Sequence, residues 1–264
     1  MALLAVAAIS FNACSKDDNQ NNDDNNGHGG NTRLVSEITV YYGGGGHDIY
    51  NFEYDNQGRI TKIMYNDGGG DLVFSYSSRS VNIKLVDSDG YDGIYFTGIL
   101  NEQGNIVSLF EDDHDGNSYE YIMSYDKNGY LSSWRYSDDD YEKEEYLTWE
   151  NGDLVQINLS ELEQNPEWGE DDEYYDEAYF EYTDYPAKLN IDIVYGLCLS
   201  NDFGDTPWFF GAFGLLGRTS SHLIKSWDNC EFSYELDDDG SPIKVVCNNS
   251  RYPSDGEIYI IRYK

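Results

Sequence analysis

One pattern recurs along this chain and leaves few folds open to it: an aromatic residue, a polar turn containing Gly, then an alternating strand. It runs FEYDNQGRITKI at 52–63, GILNEQGNIVSL at 98–109, MSYDKNGYLSSW at 123–134, LTWENGDLVQI at 147–157 and YELDDDGSPIKV at 234–245. A looser copy, FSYSSRSVNIKL, occupies 74–85. Asp tolerates turn geometry by bonding its own backbone, and Gly takes the positive φ that closes the loop, so each copy reads as a β-hairpin. Asn-Gly at 128–129 and at 151–152, flanked by alternating residues, is the strongest short-range form of that signal. The turn glycines Gly104, Gly129 and Gly152 stand 25 and 23 residues apart, room for two strands and two connections. The expected fold is all-β: an antiparallel meander of about 12–14 strands in a curved sheet or open barrel. EIYIIRY and NIDIVY alternate with period two, yet many strands carry aromatics on both faces. Either both faces are covered, or one is an exposed tyrosine-rich face.

Charge narrows the partners. Fifty Asp and Glu against sixteen Lys and Arg give a formal net charge of −34. Such a surface repels phosphate backbones, so nucleic acid is excluded as an expected partner. Strongly acidic chains can also stay disordered. Here 25 Tyr, 11 Phe and 5 Trp supply area to bury, and 26 Gly with five Pro suit strands and turns over helices. Two stretches interrupt the meander. SELEQNPEWGEDDEYYDEAYF (160–180) carries a dense acidic cluster, and SNDFGDTPWFFGAFGLLGRTSSHLIKSW (200–227) is strongly apolar. Asp205 or Thr206 can cap one short helix, near 207–216, with Pro207 in its first turn. That segment is expected to plug an open end of the sheet, burying Trp208, Phe209 and Phe213; the alternative is an exposed binding patch.

The start of the chain reads as an address. Residues 2–11 form an apolar run of signal-peptide length, too short to span a bilayer as a helix, and Ala13 precedes Cys14. This resembles the lipobox at which a bacterial lipoprotein is cleaved and its new N-terminal cysteine acylated, which makes 1–13 a signal peptide and Cys14 the lipidation site. SKDD (15–18) is similar to the Lys-Asp-Asp signal that sends Bacteroidetes lipoproteins to the outer face of the outer membrane. The tract 14–32 has too little apolar area to offset its ordering entropy, and is expected to be a disordered tether. Residues 33–264 then form the hairpin domain, lipid-anchored at the outer membrane and exposed at the cell surface.

YDNQG (54–58) and YDKNG (125–129) resemble the Tyr-Asp-x-x-Gly core of YD repeats, the hairpin units of RHS-type proteins. The CSKDD start and YD-like hairpins together resemble a family of Bacteroidetes outer-membrane lipoproteins, and FGAFGLLGRTSSHLIKSW (210–227) is similar to a segment near that family's end. The resemblance implies an architecture and an address, and no chemistry.

Catalytic signals fail one by one. His28 lies in the tether, and His47, His114 and His222 are scattered without ligand spacing. GGGGHD (43–48) lacks the Lys and Ser/Thr of a phosphate loop and reads as a turn. No Gly-x-Ser-x-Gly elbow occurs; Ser221 and His222 are merely neighbours. EDDHDGNSYE (111–120) and VDSDG (86–90) cluster oxygens as calcium requires, but position twelve after Glu111 is Ile122, and the clusters read as solvated faces. The reading is therefore of no enzyme, no metal and no cofactor.

Beyond Cys14 the chain holds Cys198, Cys230 and Cys247. Cys230 and Cys247 flank the turn LDDDGS (236–241) and are a disulfide candidate. If Leu236 pairs with Ser241, the two fall directly opposite; if Leu236 pairs with Pro242, a one-residue slip sends them to opposite faces.

Three functions stay open. The first is a non-catalytic surface-anchored domain that binds glycan or protein through a tyrosine-rich sheet face. The second is a structural or interaction subunit of an envelope complex with no small ligand. The third is a glycan hydrolase with an acidic site.

Overall fold

The computed structural model describes residues 33–66, 70–86, 92–112, 118–137, 141–163, 172–192, 210–251 and 256–264. The described residues form sixteen strands: β1 (Val35–Tyr42), β2 (His47–Tyr54), β3 (Ile60–Tyr65), β4 (Asp71–Tyr76), β5 (Ser80–Val86), β6 (Asp92–Leu100), β7 (Ile106–Asp112), β8 (Ser118–Tyr125), β9 (Leu131–Ser137), β10 (Tyr141–Glu150), β11 (Asp153–Glu163), β12 (Asp172–Pro186), β13 (His222–Trp227), β14 (Cys230–Leu236), β15 (Pro242–Asn249) and β16 (Glu257–Tyr263). Each pairs antiparallel with its neighbours in sequence order, and β16 returns to β1, closing a barrel. The antiparallel meander read from sequence is present, with two strands beyond the expected upper number and a closed wall.

Four turns share one construction. Asp55, Asn101, Asp126 and Asp237 each accept, through Oδ1, the backbone N–H groups two and four residues on, at 2.8–3.0 Å. The glycine three residues on donates its N–H to the backbone carbonyl of the same Asp or Asn, at positive φ in all four turns. Just before each turn the register shifts by one residue, so that Tyr54 faces Ile60, Leu100 faces Ile106, Tyr125 faces Leu131 and Leu236 faces Pro242. The two Asn-Gly pairs therefore make different turns. Asn151 and Gly152 form a two-residue turn with φ of 53° and 91°, as a type I′ turn requires. Asn128 and Gly129 sit inside the longer Asp126–Tyr130 loop.

That shift selects between the two registers weighed for Cys230 and Cys247. Leu236 does pair with Pro242, but the bulge at Glu235/Leu236 restores the face that simple counting loses. Cys230 lies opposite Asn249, and Cys247 opposite Phe232. Both cysteines are buried on the inner face as diagonal neighbours. Diagonal neighbours stand about 7–8 Å apart at Cα, beyond disulfide reach without backbone movement.

The pleat sorts residues cleanly. Ile38, Val40, Phe52, Ile63, Phe74, Ile83, Leu109, Trp134, Ile157, Phe180, Phe232, Tyr259 and Ile261 are buried in one interior cluster. Alternate positions, among them Glu53, Asn82, Lys84, Glu120, Arg135, Glu231 and Glu235, are exposed. Sixteen strands at ~4.8 Å spacing and ~40° tilt enclose a ring roughly 30 Å across, wider than wall side chains can fill.

The chain between β12 and β13 supplies the filling. Phe210, Ala212, Leu215 and Leu216 are buried; Phe210 packs edge-on to Phe96 and Phe213 edge-on to Phe74, at 5.3 and 5.9 Å. Backbone bonds fix this plug to the tight-turn end: Ile106 N–H to Leu215 O, Arg218 N–H to Gly129 O, and Ser221 N–H to Gly152 O, at 2.8, 3.1 and 3.0 Å. Of the helix expected near 207–216, the described part is one helical turn at 210–211 followed by tight turns. Gly214 and Gly217, both at positive φ, keep the chain from continuing as a helix. Asp205, Thr206, Pro207, Trp208 and Phe209 lie outside the described residues.

Candidate functional site

The direction of the alternation bears first on function. A membrane-spanning barrel presents an apolar band about 25 Å tall to lipid and keeps its polar residues inside. This wall is arranged the other way: aliphatic and aromatic side chains point in, and charged, amide and hydroxyl groups interrupt the outer face of nearly every strand. Among the described residues no helix is long and apolar enough to cross a membrane.

The outer face of β9–β12 departs from the rest. On β12 the odd-numbered residues Glu173, Tyr175, Glu177, Tyr179 and Glu181 are all exposed, while Ala178 and Phe180 between them are buried. Registration carries this row across the sheet: Arg135 faces Glu144, Glu144 faces Ser160, and Ser160 faces Tyr175. One row nearer the rim, Ser137, Glu142, Leu162 and Glu173 line up in the same way. These two rows line a groove of about 280 Å³, with Arg135 along one side and Tyr175 along the other.

Of the exposed tyrosines of β10 and β12, which also include Tyr174 and Tyr185, three share one arrangement: Tyr146 at 50 %, Tyr175 at 67 % and Tyr179 at 58 % exposure. Each hydroxyl is engaged by the carboxylate two residues earlier on its own strand. Tyr175 donates to Glu173 at 3.1 Å, Tyr179 donates to Glu177 at 2.5 Å, and Tyr146 is bonded to Glu144. Those bonds raise the phenol pKa of Tyr146 and of Tyr179 above the ordinary tyrosine value. They also hold each exposed ring beside a carboxylate. Exposed ring faces stack on flat apolar surfaces, and the carboxylates beside them accept hydrogen bonds from hydroxyl groups.

Polar groups on the inner face gather at the end opposite the plug, already paired. Tyr42 donates to Asp48 at 2.8 Å, Tyr121 to Glu111 at 3.1 Å, and Trp134 Nε1 to the buried Glu145 at 3.1 Å. Lys143 Nζ meets Glu161 at 2.9 Å. Burial, then the bonds to Asp48 and Tyr50, raise the Tyr42 phenol pKa far above its ordinary value.

Of the residues singled out from sequence, Cys14, His28, His114 and Cys198 lie outside the described residues, as do 1–32 and most of the calcium-like clusters at 86–90 and 111–120. His47 stacks on Tyr41 at 5.6 Å on the outer wall. His222 Nδ1 meets Asp153 Oδ2 at 2.8 Å, and its backbone N–H is bonded to the other carboxylate oxygen of Asp153. This couples β13 to the start of β11. Sequence reading left the exposed tyrosines unnamed, although the alternation E-Y-E-Y-E at odd positions 173–181 carried the signal.

No family model matches the chain, and none of the curated proteins does. Among solved structures, a porin-like protein from Bacteroides uniformis is similar, with a TM-score of 0.61 over 88 % of this chain and 98 % of that one, at 16 % sequence identity. At that identity the likeness is one of fold.

Proposed function

We propose that this chain is a non-catalytic lipoprotein of the outer membrane, held by lipid on Cys14, that binds a glycan chain along the outer wall of β9–β12. The observation that carries the binding reading is the set of exposed rings Tyr146, Tyr175 and Tyr179, each beside a carboxylate, of which Tyr175 lines a groove of about 280 Å³. A pyranose offers one flat apolar face to a ring and a rim of hydroxyls to the carboxylates. Net charge −34 favours neutral or cationic chains over sulfated or phosphorylated ones. The fold neighbour's description as porin-like supports the outer-membrane address.

The test is retention of the soluble domain on gels of neutral glycans. Tyr175→Ala and Tyr146→Ala should each lower retention several-fold while leaving the denaturation midpoint in place. Equal retention by wild type and both variants would remove the site. A blank result across the glycan panel would favour the subunit of an envelope complex, and turnover of any glycan would revive the hydrolase.

A pore is the second reading, favoured by the neighbour's description and by the strand number. The buried apolar lumen, the plug at one end and the polar outer wall all oppose it. No conductance should appear when the protein is added to planar bilayers.

A further inference from the structure

We infer that the groove between Arg135 and Tyr175 takes a sugar bearing an acetamido group, and that Arg135 is the residue that selects it. The inference rests on the glycan reading above and names the chemical class of the sugar. Its first support is a break in the charge pairing of the wall. Among the described residues seven Lys and Arg lie inside strands, and six of them meet a partner on a neighbouring strand. Lys62 reaches Asp71, Lys143 reaches Glu161, Lys225 reaches Glu181, Lys244 reaches Glu235 and Arg262 reaches Glu37, all at 2.6–2.9 Å. Lys84 lies over the Tyr95 ring at 4.9 Å. Arg135 is the exception. It stands directly opposite Glu144, but that carboxylate is bonded to Tyr146, and no described residue engages the guanidinium. Its N–H donors are therefore offered to the groove that Arg135 lines.

The residues beside Arg135 define what can use those donors. Glu142, its diagonal neighbour on β10, is exposed and likewise has no partner among the described residues. Leu162 faces Glu142 from β11 and is the one aliphatic side chain among the residues that line the groove. Tyr175 is the diagonal neighbour of Leu162 on β12. A donor, an acceptor, a small apolar surface and an aromatic ring are thus set side by side across four strands. An acetamido-bearing pyranose carries the complement of each: a carbonyl for Arg135, an N–H for Glu142, a methyl for Leu162 and an apolar ring face for Tyr175. A plain hexose offers hydroxyls to Arg135 and Glu142, but no methyl to Leu162. An anionic group fits worse, because Glu142, Glu144 and Glu173 line the same groove and would repel whatever anion Arg135 held.

The test titrates the purified full-length protein with two tetramers, one of β-1,4-linked N-acetylglucosamine and one of β-1,4-linked glucose, followed by calorimetry. The two differ only in acetamido against hydroxyl. Wild type should bind the acetamido tetramer about tenfold more tightly, the worth of one hydrogen bond to a charged group. Arg135→Met should bring the two affinities together and leave the denaturation midpoint in place, since Arg135 holds no partner in the fold. Equal affinity of wild type for the two tetramers, or an acetamido preference that survives Arg135→Met, overturns the inference. The glycan reading then still stands if Tyr175→Ala lowers retention on the neutral gels. Wild type that binds neither tetramer also overturns the inference, and a blank result across the wider glycan panel removes the glycan reading with it.

Discussion

The hydroxyl of Tyr125 donates to the carbonyl of Ile106 at 2.5 Å, and Tyr54 makes the same bond to Val35 at 2.7 Å; in both pairs the partners stand 19 residues apart. Each tyrosine ends a strand just before an Asp turn, and each carbonyl belongs to the first residue of the strand immediately before it round the barrel. The Tyr-Asp pair thus couples neighbouring hairpins: Asp shapes its own turn and Tyr reaches the hairpin before it. Ile106 matters doubly, because its N–H is bonded to Leu215 of the plug at 2.8 Å. Removing the Tyr125 hydroxyl strands a partly buried carbonyl, so Tyr125→Phe should cost about 1–3 kcal/mol in urea unfolding. The exposed Tyr146→Phe should cost under about 0.5 kcal/mol.

Buried phenols set the alkaline limit. Burial pushes the Tyr54 pKa up to about 12, with the Asn190 bond opposing, and burial raises Tyr76, Tyr125, Tyr182 and Tyr263 as well. The folded-state values lie above the unfolded value of about 10, so the fold favours the neutral phenol. Their contribution to stability is complete below about pH 10 and is lost as pH rises through the folded-state values. Phenolate absorbance from these rings should therefore appear together with loss of near-ultraviolet circular dichroism. Ionisation of all 25 tyrosines while the fold persists would contradict their burial.

At the acid end the sign reverses. The N–H of Ser241, then that of Asp239, then the Arg33 charge, hold the Asp237 carboxyl below its ordinary value. Its contribution is present above about pH 4 and is lost as pH falls further. Asp237→Asn should flatten the acid limb of the stability profile.

Two glycines separate backbone strain from contact. Gly104 and Gly217 have φ of 88° and 89°; a Cβ at Gly104 meets open space, whereas one at Gly217 would lie 2.5 Å from the Gly129 carbonyl oxygen. Gly104→Ala should cost about 1–2 kcal/mol, the left-handed penalty alone. Gly217→Ala should cost about 1–3 kcal/mol more, because the plug must move off the turn. Equal midpoints for the two variants would show that the plug does not bear on that turn.

Cysteine chemistry checks the register. With Cys247 opposite Phe232, non-reduced digests should contain no peptide joining Cys230 to Cys247, and both thiols should alkylate only after unfolding. A crosslinked peptide would place the β14–β15 register one bulge away from that described.

The sequence carried the hairpins because their signals are local: Asp and Gly at fixed positions in each turn. Closure was not legible, since β1 meets β16 across the whole chain, as Ile38 meets Ile261. The hairpin of β13 and β14 was masked too, because Asp228 takes the positive φ where a glycine would have marked a turn. The pairing of Leu236 with Pro242 was one of two registers the sequence left open, and the bulge that returns Cys230 and Cys247 to one face was not counted. The tyrosine wall failed differently. Composition gave its residues, but only the pleat, with Phe180 in and Tyr179 out, says which rings reach solvent.

The central claim is that lipid on Cys14 holds the barrel at the membrane while its polar-out wall stays in water. The most direct measurement is fractionation of cells making wild type or Cys14→Ala, with circular dichroism of the released protein. Wild type should sediment with outer membrane, and Cys14→Ala should appear in the soluble fraction, folded without detergent. A Cys14→Ala protein that stays in the membrane until detergent extracts it would contradict the account.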